Sequence, residues 1–169
     1  SELNLPFPDS SAQYFRMRHF DSLPNYLFVP GGNATYIVNI SNPLNPVITA
    51  TITVPLSGHR DFALLEGNIL IGGGIGHIDF YNISSITNPV FLNTEYTGSG
   101  DVRSYAAKNN VFALLANVVP SYSFIGFYTV QGSQFVNYTQ YYPHANVEAM
   151  TWQDKIACSN YFCLDLGGG

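Results

Sequence analysis

The run Asn25-Tyr26-Leu27-Phe28-Val29 returns as Asn68-Ile69-Leu70-Ile71-Gly72 and again as Asn110-Val111-Phe112-Ala113-Leu114. A fainter copy is Lys155-Ile156-Ala157-Cys158. The spacing is about 43 residues, the length of one unit in a stacked repeat architecture. No other feature constrains the fold as much. A unit this short cannot bury its own apolar face, so successive units must pack on one another. A second marker follows in the first two copies: Asn39-Ile40-Ser41-Asn42-Pro43-Leu44-Asn45-Pro46-Val47 and Asn82-Ile83-Ser84-Ser85-Ile86-Thr87-Asn88-Pro89-Val90.

Each unit reads as four short strands. In the second they are Phe62 to Leu65, Ile69 to Gly72, Ile75 to Ile83 and Val90 to Tyr96, with turn residues between them. Helical periodicity is missing throughout. Twelve Tyr, twelve Phe, 15 Gly and 10 Pro suit half-buried strands and frequent turns. The expected fold is therefore all-β and β-propeller-like, with about four four-stranded blades in one domain over residues 1–169. The outer strand of unit one predicts alternation, with Ile48, Ala50, Ile52 and Val54 on one face and Thr49, Thr51 and Thr53 on the other.

The run from Tyr36 to Pro43, followed by Asn45-Pro46-Val47, resembles the LVIVD-type propeller repeat. That repeat carries an Ile/Val strand, then Asp-Ile-Ser-Asp-Pro, then Asn-Pro-Val. Asn39 and Asn82 stand here where the family usually has Asp. The resemblance is good in units one and two, weak in unit three, where Tyr128-Thr129-Val130-Gln131-Gly132 replaces the turn motif, and partial in unit four. It implies a propeller and a surface or exported setting, without a shared activity.

Unit four supplies three strands and then ends near Leu166. The N-terminal segment Ser1 to Pro8 has its own alternation and is a candidate for the fourth strand. It also reads as a linker, or as a strand donated to another copy of the chain. Missing sequence after Gly169 is a further way to complete the blade.

Only 10% of residues are charged and the net charge is -5, with six Lys plus Arg. That balance argues against nucleic acid, which needs a basic patch. No apolar run is long enough to span a membrane as a helix. Four sequons, at Asn33, Asn39, Asn82 and Asn137, point to an exported glycoprotein. Asn39 and Asn82 have a second explanation, because Asn at a turn bonds to its own backbone two residues on. Cys158 and Cys163 fall on either side of a strand-turn-strand hairpin, where facing residues meet the distance of a disulfide. Free thiols are the alternative. Two Cys without a nearby His make an incomplete metal set, so no metal site is expected. No cofactor motif occurs either. Gly72-Gly73-Gly74-Ile75-Gly76 joins two strands and reads as a tight turn, with His77 structural.

Loops on one face of a propeller converge on its axis. By repeat position that face carries His59, Arg60, Asp61, Asp101, Arg103, His144 and Asn146, a candidate ligand-binding set or a mutually paired polar rim. No catalytic motif is present, so an enzyme is not expected. The leading expectation is an extracellular or cell-surface interaction module that contacts other copies of itself or matrix proteins. One alternative is a lectin-like propeller stacking sugars on Tyr122, Phe124, Tyr161 or Phe162. Another is a glycoside hydrolase using Asp61 and Asp101.

Overall fold

The same backbone hydrogen bond occurs in three units. The carbonyl of Asn25 accepts from Ile40 N–H, that of Asn68 from Ile83 N–H, and that of Asn110 from Val130 N–H, at 2.8, 2.9 and 2.8 Å. The recurring Asn is therefore a structural landmark as well as a sequence one. In unit two it ends a 3-10 turn, Glu66–Asn68, with Asn68 at φ 60°. Asn tolerates this left-handed conformation better than most side chains.

The computed structural model describes residues 17–54, 58–108, 110–118, 122–141, 150–153, 156–159 and 163–165. All pairing is antiparallel. Unit one is a four-stranded sheet in the order β1 (Arg18–His19), β2 (Tyr26–Gly31), β3 (Ala34–Asn39), β4 (Val47–Thr53). Unit two contributes β5 (Asp61–Leu65), β6 (Ile69–Gly73), β7 (Ile75–Asn82) and the first part of β8 (Val90–Lys108). Unit three continues with the rest of β8, β9 (Val111–Val118), β10 (Tyr122–Gln131) and β11 (Gln134–Tyr141). Unit four gives β12 (Met150–Gln153), β13 (Ile156–Ser159) and β14 (Cys163–Asp165), a three-stranded sheet among the described residues.

The strand assignments for unit two agree with the expectation within a residue or two. Two details differ. β8 runs unbroken from the outer strand of unit two into the inner strand of unit three, so the two units share one seven-stranded sheet. No proline interrupts Val90–Lys108 to force the expected break. The alternation of β4 is also interrupted. Val38 pairs with Ile48 while Ile37 pairs with Ala50, so a bulge falls at Thr49. A bulge shifts the face of every residue beyond it. Ile48 consequently packs with Val29, Tyr36 and Val38, whereas Ala50 and Ile52 join Phe28 and Ile37. Ser1 to Pro8 lies outside the described residues.

The turn chemistry is local and repeated. Asn39 Oδ1 accepts from Ser41 N–H, and Asn82 Oδ1 from Ser84 N–H, both at 2.8 Å. Unit three has a two-residue hairpin instead, with Gly132 at φ 64° between β10 and β11.

The core lies between units, as stacking requires. One cluster joins units one and two through Phe28, Ile37, Ile52, Phe62, Leu70, Tyr81 and Ile83. Another joins units two and three through Ala63, Leu65, Ile71, Ile78, Phe80, Leu114, Tyr128 and Val130. On β7 the even positions Ile78 and Phe80 face unit three, and Tyr81 faces unit one. The period of two places His77 and Asp79 on the Tyr81 side. Among the described residues no helix is long and apolar enough to cross a membrane.

Candidate functional site

The glycine run at the end of β6 is what makes room for a polar centre between units one and two. His59 stands just before β5, where Arg60 N–H donates to Gly73 carbonyl at 2.7 Å and extends the ladder. The His59 ring lies over Gly72. A Cβ there would sit 2.7 Å from both Cε1 and Nδ1 of the ring. Gly58 is equally constrained, since its Cβ would collide with the Gly32 carbonyl.

His59 is fully buried and both ring nitrogens are used. Nδ1 meets Thr35 Oγ1 at 2.9 Å, reaching back to β3 of unit one. Nε2 meets Asp79 Oδ2 at 3.0 Å on β7. A carboxylate only accepts, so Nε2 carries the proton in this arrangement and Nδ1 accepts from the threonine. The second Asp79 oxygen accepts from Thr94 Oγ1 at 2.5 Å on β8. Burial holds the His59 pKa below its ordinary value, despite the opposing pull of Asp79. Burial pushes the Asp79 carboxyl up, but hydrogen bonds from His59 and Thr94 outweigh it and leave it below the usual carboxylate range. His59 is thus neutral and Asp79 ionised near neutral pH. Burial and the nearby Asp79 charge raise the Tyr81 hydroxyl well above its ordinary value.

A second polar pair lies beside this one. Arg18 Nε and Nη2 meet the two oxygens of Asp61 at 2.5 and 2.6 Å, a bidentate fork. Asp61 is fully buried and also accepts from Phe62 N–H at 2.9 Å. Asp61 raises the Arg18 pKa further through that hydrogen bond.

Of the expected axial residues, His59 and Asp61 are inside the protein rather than on an open rim, each tied to a different partner. Arg60 is half-buried between them in sequence. Asp101 and Arg103 lie on β8, where Asp101 is opposite Ile75 and Asn117, and their side chains lie outside the described residues. His144 and Asn146 lie wholly outside the described residues, as do Tyr161 and Phe162. Tyr122 and Phe124 belong to β10. Thr35, Asp79, Thr94 and Arg18 were not singled out by the sequence reading. The alternation His77-x-Asp79-x-Tyr81 on a predicted strand was the signal that could have found the β7 part.

Asn33 is exposed in the turn between β2 and β3, while its sequon partner Thr35 is buried. Asn39 and Asn82 are half-buried at their turns, and Asn137 lies on β11, the edge strand of its sheet. Cys158 on β13 pairs in register with Cys163 on β14.

These sheets, their order and their stacking define the chain as a WD40-like β-propeller fold. Sqt1 of Chaetomium thermophilum superposes with a TM-score of 0.63 at 16% identity, covering 86% of this chain and 40% of that one. The RRP9 WD40 repeats give 0.60 at 13% identity, over 85% of this chain and 43% of that one. The β-propeller domain of Cps50 (Swd1) from Myceliophteria thermophila gives 0.58 at 11%, over 83% and 46%. The chain spans less than half the length of these structures. No family model matches it, and no curated protein does.

Proposed function

We propose that this chain is a non-catalytic interaction module of the cell surface or extracellular space that associates with further copies of itself through its outer strands. The observation that carries the reading is a repeated apolar outer edge. Val47 opens β4 and Val90, Phe91 and Leu92 open β8, and they are 52, 52, 49 and 39% exposed. Val47 and Val90 occupy the same place in the repeat, each after Asn-Pro. Among the described residues β4 has no strand beyond it, and an edge strand is a template for pairing. A hydrolase reading is less favoured, because Asp61 is locked by Arg18.

Four sequons and the Cys158–Cys163 register support an exported, glycosylated and disulfide-bonded chain, and the LVIVD-type repeats it resembles imply the same surface or exported setting. Glycosidase treatment of natively expressed protein is expected to lower its mass, and alkylation without reductant is expected to leave both cysteines unlabelled. Sedimentation velocity over a concentration series tests the association. The parent is expected to form larger species as concentration rises, and Val47→Lys with Phe91→Lys to remain monomeric. A parent that stays monomeric throughout, or association untouched by the double substitution, refutes the reading. Deleting Ser1 to Pro8 tests whether that segment is the donated strand.

A further inference from the structure

We propose that His59, His77 and Asp79 form a binding site for a divalent zinc-class cation. Their ligand atoms lie within 4.8 Å of one another and all three residues are buried. His59 Nε2 is 3.0 Å from Asp79 Oδ2, and His77 Nε2 is 3.5 Å from the same oxygen. Ligands around zinc with bonds of about 2.0–2.1 Å stand roughly 3.3 Å apart along a tetrahedral edge, and these two separations bracket that value.

The hydrogen bonding of His77 adds to this geometry. Its Nδ1 is 3.0 Å from Ile75 carbonyl, which can only accept, so Nδ1 carries the hydrogen. With Nδ1 engaged by Ile75, Nε2 is the nitrogen that faces Asp79 Oδ2, and a cation held between the two would be ligated by both. Nε2 of His77 has no hydrogen-bond partner. A metal-bound histidine typically donates its other N–H to a carbonyl or another oxygen. His77 does so to Ile75, and His59 does so to Thr35 once its proton moves to Nδ1. The remaining Asp79 oxygen is held by Thr94. Three protein ligands leave the fourth position of a tetrahedral site open.

The repeat argues that the blade itself does not require these groups. The offset of 43 residues that maps Asn68 onto Asn25 puts Ala34, Tyr36 and Val38 where unit two has His77, Asp79 and Tyr81. The backbone register agrees, since Leu70 pairs with Tyr81 as Leu27 pairs with Val38. Unit one forms its sheet with an apolar face there. The sequence hid the cluster because His59 precedes β5, while the other two ligands lie on β7.

The test uses the full chain, stripped with chelator and refolded with or without one equivalent of Zn²⁺, because a buried site is loaded as the chain folds. Zinc at a hundred times its dissociation constant is expected to raise the melting temperature by roughly 5–10 °C. Co²⁺ in its place is expected to give tetrahedral visible bands without thiolate charge transfer. His77→Gln is expected to fold and to lose both effects. A melting temperature indifferent to Zn²⁺ overturns the proposal. Thiolate bands in the parent overturn it too, by placing the ion on Cys158 and Cys163. Binding unchanged in His77→Gln has the same consequence.

Discussion

Gly72→Ala is the sharpest probe of the buried centre. Gly72 is on β6 and does not have a positive φ, so alanine suits its backbone. Removing a glycine would by itself stabilise the protein by about 0.4–1 kcal/mol through the unfolded chain. The obstacle is the His59 ring, whose Cε1 and Nδ1 would lie 2.7 Å from the new Cβ. Ordinary contact requires about 0.7 Å more. In metal-free protein a ring displaced that far stretches its bonds to Thr35 and Asp79, 2.9 and 3.0 Å, beyond hydrogen-bonding reach. One bond involves a carboxylate, worth about 1.5–3 kcal/mol, and one is neutral, worth about 0.5–1.5 kcal/mol. The net expectation is a loss of about 1–4 kcal/mol, a fall of roughly 0.5–2 M in the urea midpoint for a chain of this size. Urea unfolding followed by circular dichroism measures it. Placing the same substitution in a His59→Ala background supplies the second half of a double-mutant cycle. There the alanine meets no ring and is expected to be neutral or stabilising. An unchanged midpoint in the single variant refutes the argument, and so does an equal loss in both backgrounds.

Three further outcomes rest on individual side-chain bonds. Arg18→Met leaves Asp61 buried without its bidentate partner and is expected to cost about 3 kcal/mol, near the lower end for a broken buried pair because the Arg18 side chain is 28% exposed; thermal unfolding at low and high salt checks it. In metal-stripped protein the folded His59 pKa lies below 6.5, so the unfolded chain takes up its proton first and stability falls as pH drops below about 6.5, by up to about 1.4 kcal/mol per pH unit. Asp79, below its ordinary value of 3.8 in the folded chain, adds a second loss as pH falls below about 3.8, and a melting temperature flat between pH 7 and 5 contradicts the His59 assignment. Asn82→Ala removes the acceptor for Ser84 N–H and is expected to destabilise by about 1 kcal/mol, whereas Asn82→Asp retains it; chemical denaturation of the pair separates turn chemistry from glycan loss.

The repeat was legible because its markers are local. Asn25, Asn68 and Asn110 each close their unit with a bond to a residue 15 to 20 positions on, and the Asn-Pro turns use side chains two residues from their targets. Turn residues bounded β6 and β7 to within a residue. Alternation failed at Thr49, where a bulge with no sequence mark moved Ile48 to the other face. The candidate site was legible only in part. Position in the repeat drew attention to His59 and Asp61, and both do lie where units meet. Their burial was not legible, because it depends on partners at a distance: Arg18 is 43 residues from Asp61, and Thr35 is 24 from His59.

The arrangement of those partners suggests what the polar centre does for the fold. Apolar contacts between stacked units are non-directional, and Phe28 against Phe62 would tolerate a small slide of one unit over the next. The chain of bonds from Thr35 through His59 and Asp79 to Thr94 would not. It begins on β3 of unit one, passes through the segment before β5, and ends on β8 at the outer side of unit two. Each bond depends on the position of the next, and an unmade bond here leaves a buried polar atom. A slide of unit one over unit two would part Thr35 from His59, now 2.9 Å apart, and leave both buried without that bond. Such a network fixes one register among several that hydrophobic stacking would accept. The outer strands that we propose for self-association are then presented at a fixed spacing, because β4 and β8 each end such a bonded path or lie one strand from it. Loosening the centre by Gly72→Ala is therefore expected to weaken concentration-dependent association as well as stability, although Gly72 is buried and Val47 and Phe91 are untouched. Association that survives at full strength under conditions where the variant is folded would show that the outer strands act without the register set behind them.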